Sequence, residues 1–381
     1  MPWKWSWLLE EAGVRKLLST SSLLYRYLLG RGDGASEVVK CALCPNMCRH
    51  ACPVSIVDGR ETTSPAGKSR LAMLMERGLL ELNQETVKPV YACLSCEACK
   101  RWCYFEFSVS ELLQRVKSKS VSAGFAPPGA LEVLSNLRSY GYAYGRPGRV
   151  APQRGEILYL AGCTVREYLP GLAEKTVKLL EENGWKVAVV DEKCCGVPAY
   201  YLGDLELFKE VARTSRETVS ESGAETVVTS CPSCTYAMRV LYPRFGVKLS
   251  FRVLHITELL SQHLNRFKTS SNKSVKVTYH DPCKLSYSLD EPDLLRNLLV
   301  SFGVTVVDPW RRGRETFCCG YGGGLSFSHP QLAKMIAGER VRELSQYAEL
   351  AVTACPTCKL AFQSNGYNAV DIVELVYDLT R

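Results

Sequence analysis

Every one of the 18 cysteines in this chain falls into one of four spaced groups. The first holds Cys41, Cys44, Cys48 and Cys52, and the second Cys93, Cys96, Cys99 and Cys103. The third consists of Cys163, the adjacent pair Cys194 and Cys195, then Cys231 and Cys234. The fourth repeats that plan with Cys283, Cys318, Cys319, Cys355 and Cys358. Thiolates are soft ligands that select iron–sulfur clusters, zinc or copper(I), so this grouping predicts a chain folded around metal. A disulfide scaffold is a poor use of so many cysteines, because such scaffolds are small and secreted.

At 381 residues, 46% of them apolar, the chain is long enough for two or three domains with real cores. Its apolar start, Trp3 to Leu9, is interrupted by Lys4 and followed by Glu10 and Glu11, so no secretory signal is expected. No run reaches the ~18 apolar residues of a spanning helix. The expected compartment is the cytoplasm, with peripheral placement on the inner membrane face, through a partner or the N-terminal helix, as the alternative. The net charge of +8 would suit an acidic partner. Thiolate-ligated clusters are themselves anionic and would cancel much of it. No basic stripe interleaved with aromatics is visible, so nucleic acid is not an expected partner.

Residues 1–34 read as an amphipathic helical segment, with leucines such as Leu8, Leu9, Leu17, Leu18, Leu28 and Leu29 spaced mostly by threes and fours over Pro2 to Gly30. A cysteine module is expected over 35–120, with a helix from Ala66 to Arg77 between its two groups, ended by Gly78. Residues 121–154, rich in Gly, Pro and Tyr, read as a linker. Two α/β units follow, 155–268 and 274–381, related by an internal repeat: Cys194, Cys195, Cys231 and Cys234 each recur 124 positions later. Strands are expected at Glu156–Leu160, Lys186–Val190 and Thr226–Thr229, then at Val275–Tyr279, Val304–Val307 and Leu350–Thr353. The intervening helices are expected at Leu172–Glu182 and Leu205–Glu221, then Asp293–Ser301 and Gln331–Glu343. Such alternation implies parallel sheets. The cysteines of each unit then fall just past the carboxyl ends of strands, where open parallel sheets bind ligands. The helices that follow point their N-termini at an anionic cluster.

The second cysteine group has the bacterial ferredoxin spacing, and the first has one extra residue. In two-cluster ferredoxins the fourth cysteine of each run serves the other cluster. The expected sets are therefore Cys41, Cys44, Cys48 and Cys103 for one [4Fe–4S] cubane, and Cys93, Cys96, Cys99 and Cys52 for the other. A pair of structural zinc sites is the alternative. Five cysteines exceed the needs of one tetrahedral metal or one cubane. An opened, non-cubane cluster would use Cys163, Cys194, Cys195, Cys231 and Cys234, and another Cys283, Cys318, Cys319, Cys355 and Cys358. Otherwise one cysteine of each set is a buried structural thiol.

Cys194-Cys195-Gly196 followed by Cys231-Pro232-Ser233-Cys234, and Cys318-Cys319-Gly320 followed by Cys355-Pro356-Thr357-Cys358, resemble the cysteine-rich CCG domain. The lead His280-Asp281-Pro282-Cys283 also resembles that family. Behind a two-cubane module the arrangement resembles the D-type subunits of heterodisulfide reductase and, more widely, iron–sulfur subunits of glycolate, lactate and anaerobic glycerol-3-phosphate oxidising enzymes. The resemblance implies an α+β multidomain fold, with a helical ferredoxin-type domain followed by two Rossmann-like CCG domains. It also implies two non-cubane [4Fe–4S] clusters between which a disulfide is cleaved. Cys194, Cys195, Cys318 and Cys319 are then the candidate catalytic residues. The alternative is an electron-transfer subunit for a flavoprotein dehydrogenase. Partners of either kind, a membrane cytochrome b or a flavoprotein, follow from the resemblance.

His280 has no match in the first unit and is a candidate proton donor to a leaving thiolate, against a satisfied structural histidine. Arg311, Arg312 and Arg314 could hold an anionic substrate or form a solvated basic loop. Gly320 to Gly324 lacks the dinucleotide fingerprint, and amides bonding to cluster sulfur suit it better. Trp3, Trp5 and Trp7 fit a membrane interface or packing onto the cysteine module.

Overall fold

The computed structural model describes residues 34–148, 150–267, 275–291 and 293–381. The helix expected over Pro2 to Gly30, with Trp3, Trp5 and Trp7, lies outside the described residues.

From Gly34 to Ser122 the chain forms short helices: Gly34–Leu43, Pro53–Asp58, Pro65–Glu76, Gln84–Tyr91, Ala98–Arg101, Val109–Leu112 and Gln114–Ser122. Ser64 caps the Pro65–Glu76 helix by accepting a hydrogen bond from Gly67 N–H. Pro65 sits in its first turn, where a missing N–H costs nothing. Asn83 and Thr86 form a reciprocal capping box at the head of Gln84–Tyr91. Val87, Val90, Tyr91, Leu113 and Val116 are buried in one core, each large apolar side chain contributing about 1.5–3 kcal/mol on burial. Cys41 and Cys99 lie within the Gly34–Leu43 and Ala98–Arg101 helices, and the other six cysteines on the short joints between the helices.

Two four-stranded parallel sheets follow. The first comprises β1 (Ile157–Leu160), β2 (Val187–Ala188), β3 (Thr226–Thr229) and β4 (Arg252–His255), in the order β2-β1-β3-β4. The second comprises β5 (Lys276–His280), β6 (Thr305–Val307), β7 (Ala351–Thr353) and β8 (Ala369–Asp371), in the order β6-β5-β7-β8. The repeat read from the cysteines is thus a repeat of topology. The fourth strand of each sheet went unseen in the sequence. Each is only three or four residues long and runs straight into a helix, Ile256–Gln262 or Ile372–Leu379, so its apolar residues merge with the helical pattern. Both helices begin with a capping box, His255 with Glu258 and Asp371 with Glu374.

The repeats pack through pseudo-equivalent helices. Pro170–Glu182 lies against Ile372–Leu379, and Ile256–Gln262 against Leu294–Ser301. Tyr159, Val228 and Leu254 of the first unit share one buried core with Val277, Tyr279 and Val376 of the second. This apposition turns the cysteine-bearing edges of both sheets toward a common crevice.

The reading of 121–154 as a linker needs correction. Val121 and Ser122 end the Gln114–Ser122 helix, and Pro128–Tyr140 is a helix with Ala130, Val133, Leu134 and Leu137 buried. It packs on Val197–Leu202 in the first unit and on Leu325–Ser328 in the second. Pro128 stands in its first turn, and Gly141, at φ +66°, ends it. Proline at a helix start and glycine just past its end are boundary marks, which composition alone counts as loop.

The cysteine module and the second unit meet backbone to backbone. Gly323 has φ +64°, and a Cβ there would lie 2.0 Å from Leu94 O. Gly323→Ala is expected to destabilise the fold by about 2–4 kcal/mol, from the left-handed backbone and the overpacking together. Gly322→Ala, with nothing within 4 Å of its Cβ, is the neutral control. Anaerobic denaturant unfolding followed by circular dichroism checks both.

Candidate metal centres

Cys41 lies in the last turn of the Gly34–Leu43 helix, Cys44 directly follows it, Cys48 lies in the short turn Met47–Ala51, and Cys103 comes just past Ala98–Arg101. Burial raises the Cys41 thiol to about 11; Cys103 and Cys44 add to this, while the Ser69 hydroxyl opposes it. Cys48 is raised to about 12 by burial and by the surrounding Cys41, Cys103, Cys52 and Cys44. A bound metal ion would reverse both shifts, since coordinated thiols are deprotonated.

Cys52 is the N-cap of Pro53–Asp58. It lines one cavity with Cys93, Cys96 and Cys99, beside Pro53, Pro65 and Lys68. Lys68 is buried, which alone would lower its pKa, but Cys52, Cys93, Cys99 and Cys96 raise it above the ordinary value. Two further lysines are buried nearby. Lys117 donates to Tyr201 O at 2.8 Å, and Lys284 to Ser95 O at 2.7 Å. Sequence reading missed all three, because a lysine's burial is a tertiary fact.

In the first unit Cys163 opens a helix directly after Gly162, whose φ is +82°. Cys194 and Cys195 follow β2, Cys231 caps Pro232–Tyr236, and Cys234 lies within that helix. The five thiols form one string of side-chain contacts: Cys163 to Cys194, Cys194 to Cys195, Cys195 to Cys234, and Cys234 to Cys231. Val197 N–H is directed at the Cys195 sulfur. Glu192, its carboxyl raised to about 7 by burial, accepts from Gly162 N–H at 2.9 Å and braces the turn.

The second unit reproduces the string in the same order. Cys318 Sγ lies 3.7 Å from Cys283 Sγ, Cys318 meets Cys319, Cys319 meets Cys358, and Cys358 meets Cys355. Tyr321 N–H, in the glycine-rich loop, is directed at the Cys319 sulfur. Cys318 also contacts Cys96 of the cysteine module. Cys355 feels the charge of Cys231 across the crevice, where the Thr164 and Thr357 hydroxyls are 3.5 Å apart.

Between the units lies a cavity bounded by Cys163, Cys195, Cys231 and Cys234 on one side and Tyr321, Gly322, Gly323, Gly324 and Thr357 on the other. Tyr144 and Phe327 complete its wall. His280 does not line it. The imidazole is fully buried at the end of β5, and burial together with Arg340 pushes it well below its ordinary range. A neutral ring away from the crevice is badly placed to protonate a leaving thiolate. The three arginines are also engaged elsewhere. Arg311 pairs with Glu343 and Glu339, Arg312 with Asp308, and Arg314 with Asp290.

The donor set fits iron–sulfur centres. Strings of soft thiols lie mostly shielded from water, with backbone N–H groups aimed at sulfur.

Two family models match the chain. A cysteine-rich domain, CCG, matches residues 157–239 and again 277–363, and a 4Fe-4S dicluster domain matches 37–107. Over 297 residues the chain is 30% identical to the D-type subunit of the dihydromethanophenazine:CoB–CoM heterodisulfide reductase of Methanosarcina acetivorans, covering 72% of this chain and 73% of that one. Over 304 residues it is 27% identical to the B-type subunit of the fumarate reductase (CoM/CoB) of Methanothermobacter marburgensis, covering 75% of this chain and 60% of that one. A hypothetical protein from Helicobacter pylori has a crystal structure with a similar fold. Its TM-score is 0.62 at 9% identity, covering 96% of this chain and 76% of that one.

Proposed function

The chain belongs to the family of D-type heterodisulfide reductase subunits, in which a 4Fe–4S dicluster domain precedes two cysteine-rich domains, and from this premise we propose that it reduces a disulfide at the crevice between its two α/β units. Cys41, Cys44, Cys48 and Cys103 hold one cubane, and Cys52, Cys93, Cys96 and Cys99 the other. The five thiols of each unit hold a further, non-cubane four-iron centre. Such centres supply single electrons, and two electrons with two protons convert one disulfide into two thiols as the S–S bond breaks.

The observation that carries this reading is the succession of thiols. The dicluster module reaches the second unit where Cys96 meets Cys318, and the second unit faces the first where Cys355 approaches Cys231. The chain's own residues shape the end of that path. Gly322, Gly323 and Gly324 line the crevice with backbone, while Tyr144, Tyr321 and Phe327 give it an aromatic wall against water. Burial raises the Tyr144 hydroxyl above its ordinary range, so it keeps its proton, 3.4 Å from the Thr164 hydroxyl.

Anaerobic purification with iron and sulfide analysis tests the reading. About 16 irons per chain are expected if each of the four centres holds four, together with a paramagnetic signal that appears on adding a thiol or disulfide. Zinc with little sulfide overturns it. The relationship to a fumarate reductase favours a second reading, in which the chain relays electrons for a flavoprotein partner that oxidises or reduces another substrate. Ready reduction of the centres by such a flavoprotein, with no thiol-dependent signal, selects the relay.

A further inference from the structure

The two five-thiol sets differ in one neighbour. Leu160 pairs with Thr229 at the end of β1, and His280 pairs with Thr353 at the end of β5, so the two residues occupy equivalent positions. A ring nitrogen of His280 and the sulfurs of Cys319 and Cys358 all lie within 4.8 Å of one another. Arg340 Nε lies 3.1 Å from Nδ1 of the same ring.

That contact decides which nitrogen carries the hydrogen. A guanidinium has donors and no acceptor, so Nδ1 accepts and the neutral ring bears its hydrogen on Nε2. Arg340 is itself held in place. It is buried and paired with Glu343 Oε2 at 2.7 Å, and that carboxylate also binds Arg311 at 2.8 Å. The Phe362 ring meets the imidazole edge-on, with centroids 4.8 Å apart, and fixes its plane. Nε2 is enclosed and has no hydrogen-bond partner among the described residues. A buried N–H is expected to have an acceptor, and the Cys319 and Cys358 sulfurs lie within 4.8 Å of a nitrogen of this ring. The same tautomer leaves Nε2 no lone pair with which to bind iron.

We propose that His280 is a positioning residue that donates a hydrogen bond from Nε2 to sulfur of the second unit's centre, making that centre easier to reduce than its counterpart in the first unit. The proposal rests on the reading that each set holds an iron–sulfur centre. Hydrogen bonds to sulfur offset the charge added on reduction, and they are a recognised influence on cluster potential. Leu160 offers the first unit no such donor. The favoured centre is also the one touched by Cys96, so electrons leaving the dicluster module meet it first.

The test is an EPR-monitored reductive titration of the full chain after iron and sulfide analysis. His280→Leu, which copies the first unit, is expected to keep its iron. At fixed potential it lowers the reduced-to-oxidised ratio of one centre roughly tenfold, ~59 mV for a one-electron couple, while the other centres hold their midpoints. His280→Gln, which keeps an N–H donor, recovers part of the shift. Hyperfine spectroscopy is expected to show a weakly coupled nitrogen in the parent that His280→Leu loses. Unmoved midpoints in an iron-replete His280→Leu overturn the proposal. So does a strongly coupled, iron-bound nitrogen, with iron lost from both variants, since His280 is then a ligand. A parent protein containing zinc and no sulfide overturns the iron–sulfur reading instead, and is a separate outcome.

Discussion

Cys318→Ser is expected to lower disulfide reduction by roughly two orders of magnitude or more, because serine is a hard, poor ligand for iron. Cys318 stands at the junction of the path: it contacts Cys283 and Cys319 in its own unit and Cys96 in the dicluster module. The eight thiols of that module are untouched, so its two EPR signals are expected to persist and to reduce normally. Electrons should then accumulate there, which rapid-freeze EPR during reduction by a viologen would show. Cys163→Ser gives the complementary case. It injures the far end of the path, so turnover falls while the second unit's centre still fills. Normal reduction of the first unit in Cys318→Ser would sink the proposed order and require a route that bypasses the second unit.

Lys68→Met is expected to lower the potential of the centre held by Cys52, Cys93, Cys96 and Cys99. Lys68 is buried against these four thiols, which raise its pKa in spite of burial. A unit charge at about 6 Å, with an effective dielectric near 20, is worth roughly 3 kcal/mol, or ~10²-fold in the reduced-to-oxidised ratio. Methionine fills the same space without charge, so packing is expected to survive. Lys68→Arg, which keeps the charge, should hold the midpoint nearer to that of the parent. Cys41 and Cys48 are shifted by burial and by neighbouring thiols, with Lys68 not among the groups acting on them, so the potential of their centre should move little. Reductive titrations of the three proteins check this, and equal midpoints throughout would remove Lys68 from any tuning role.

Much of the fold was legible in the sequence. The helix Leu205–Glu221 and the strand Thr226–Thr229 stand where periodicity put them, because an amphipathic helix and a β-branched run carry strong local patterns. The helix Pro128–Tyr140 was not legible, since its proline and glycine ends imitate a loop. Strands β4 and β8 were hidden by their brevity. Lys68, Lys117 and Lys284 escaped because a lysine in sequence reads as solvent-exposed.

The amino-acid sequence by itself determined the donor inventory and its repetition. Eighteen soft ligands in fixed spacings permit few chemistries, and a repeated cysteine pattern implies a repeated fold. Only the tertiary structure decided adjacency. It set Cys96 against Cys318, Cys231 toward Cys355, and Arg340 behind His280. Spacing along a chain is local, whereas contact between residues far apart in sequence depends on how separately folded units pack.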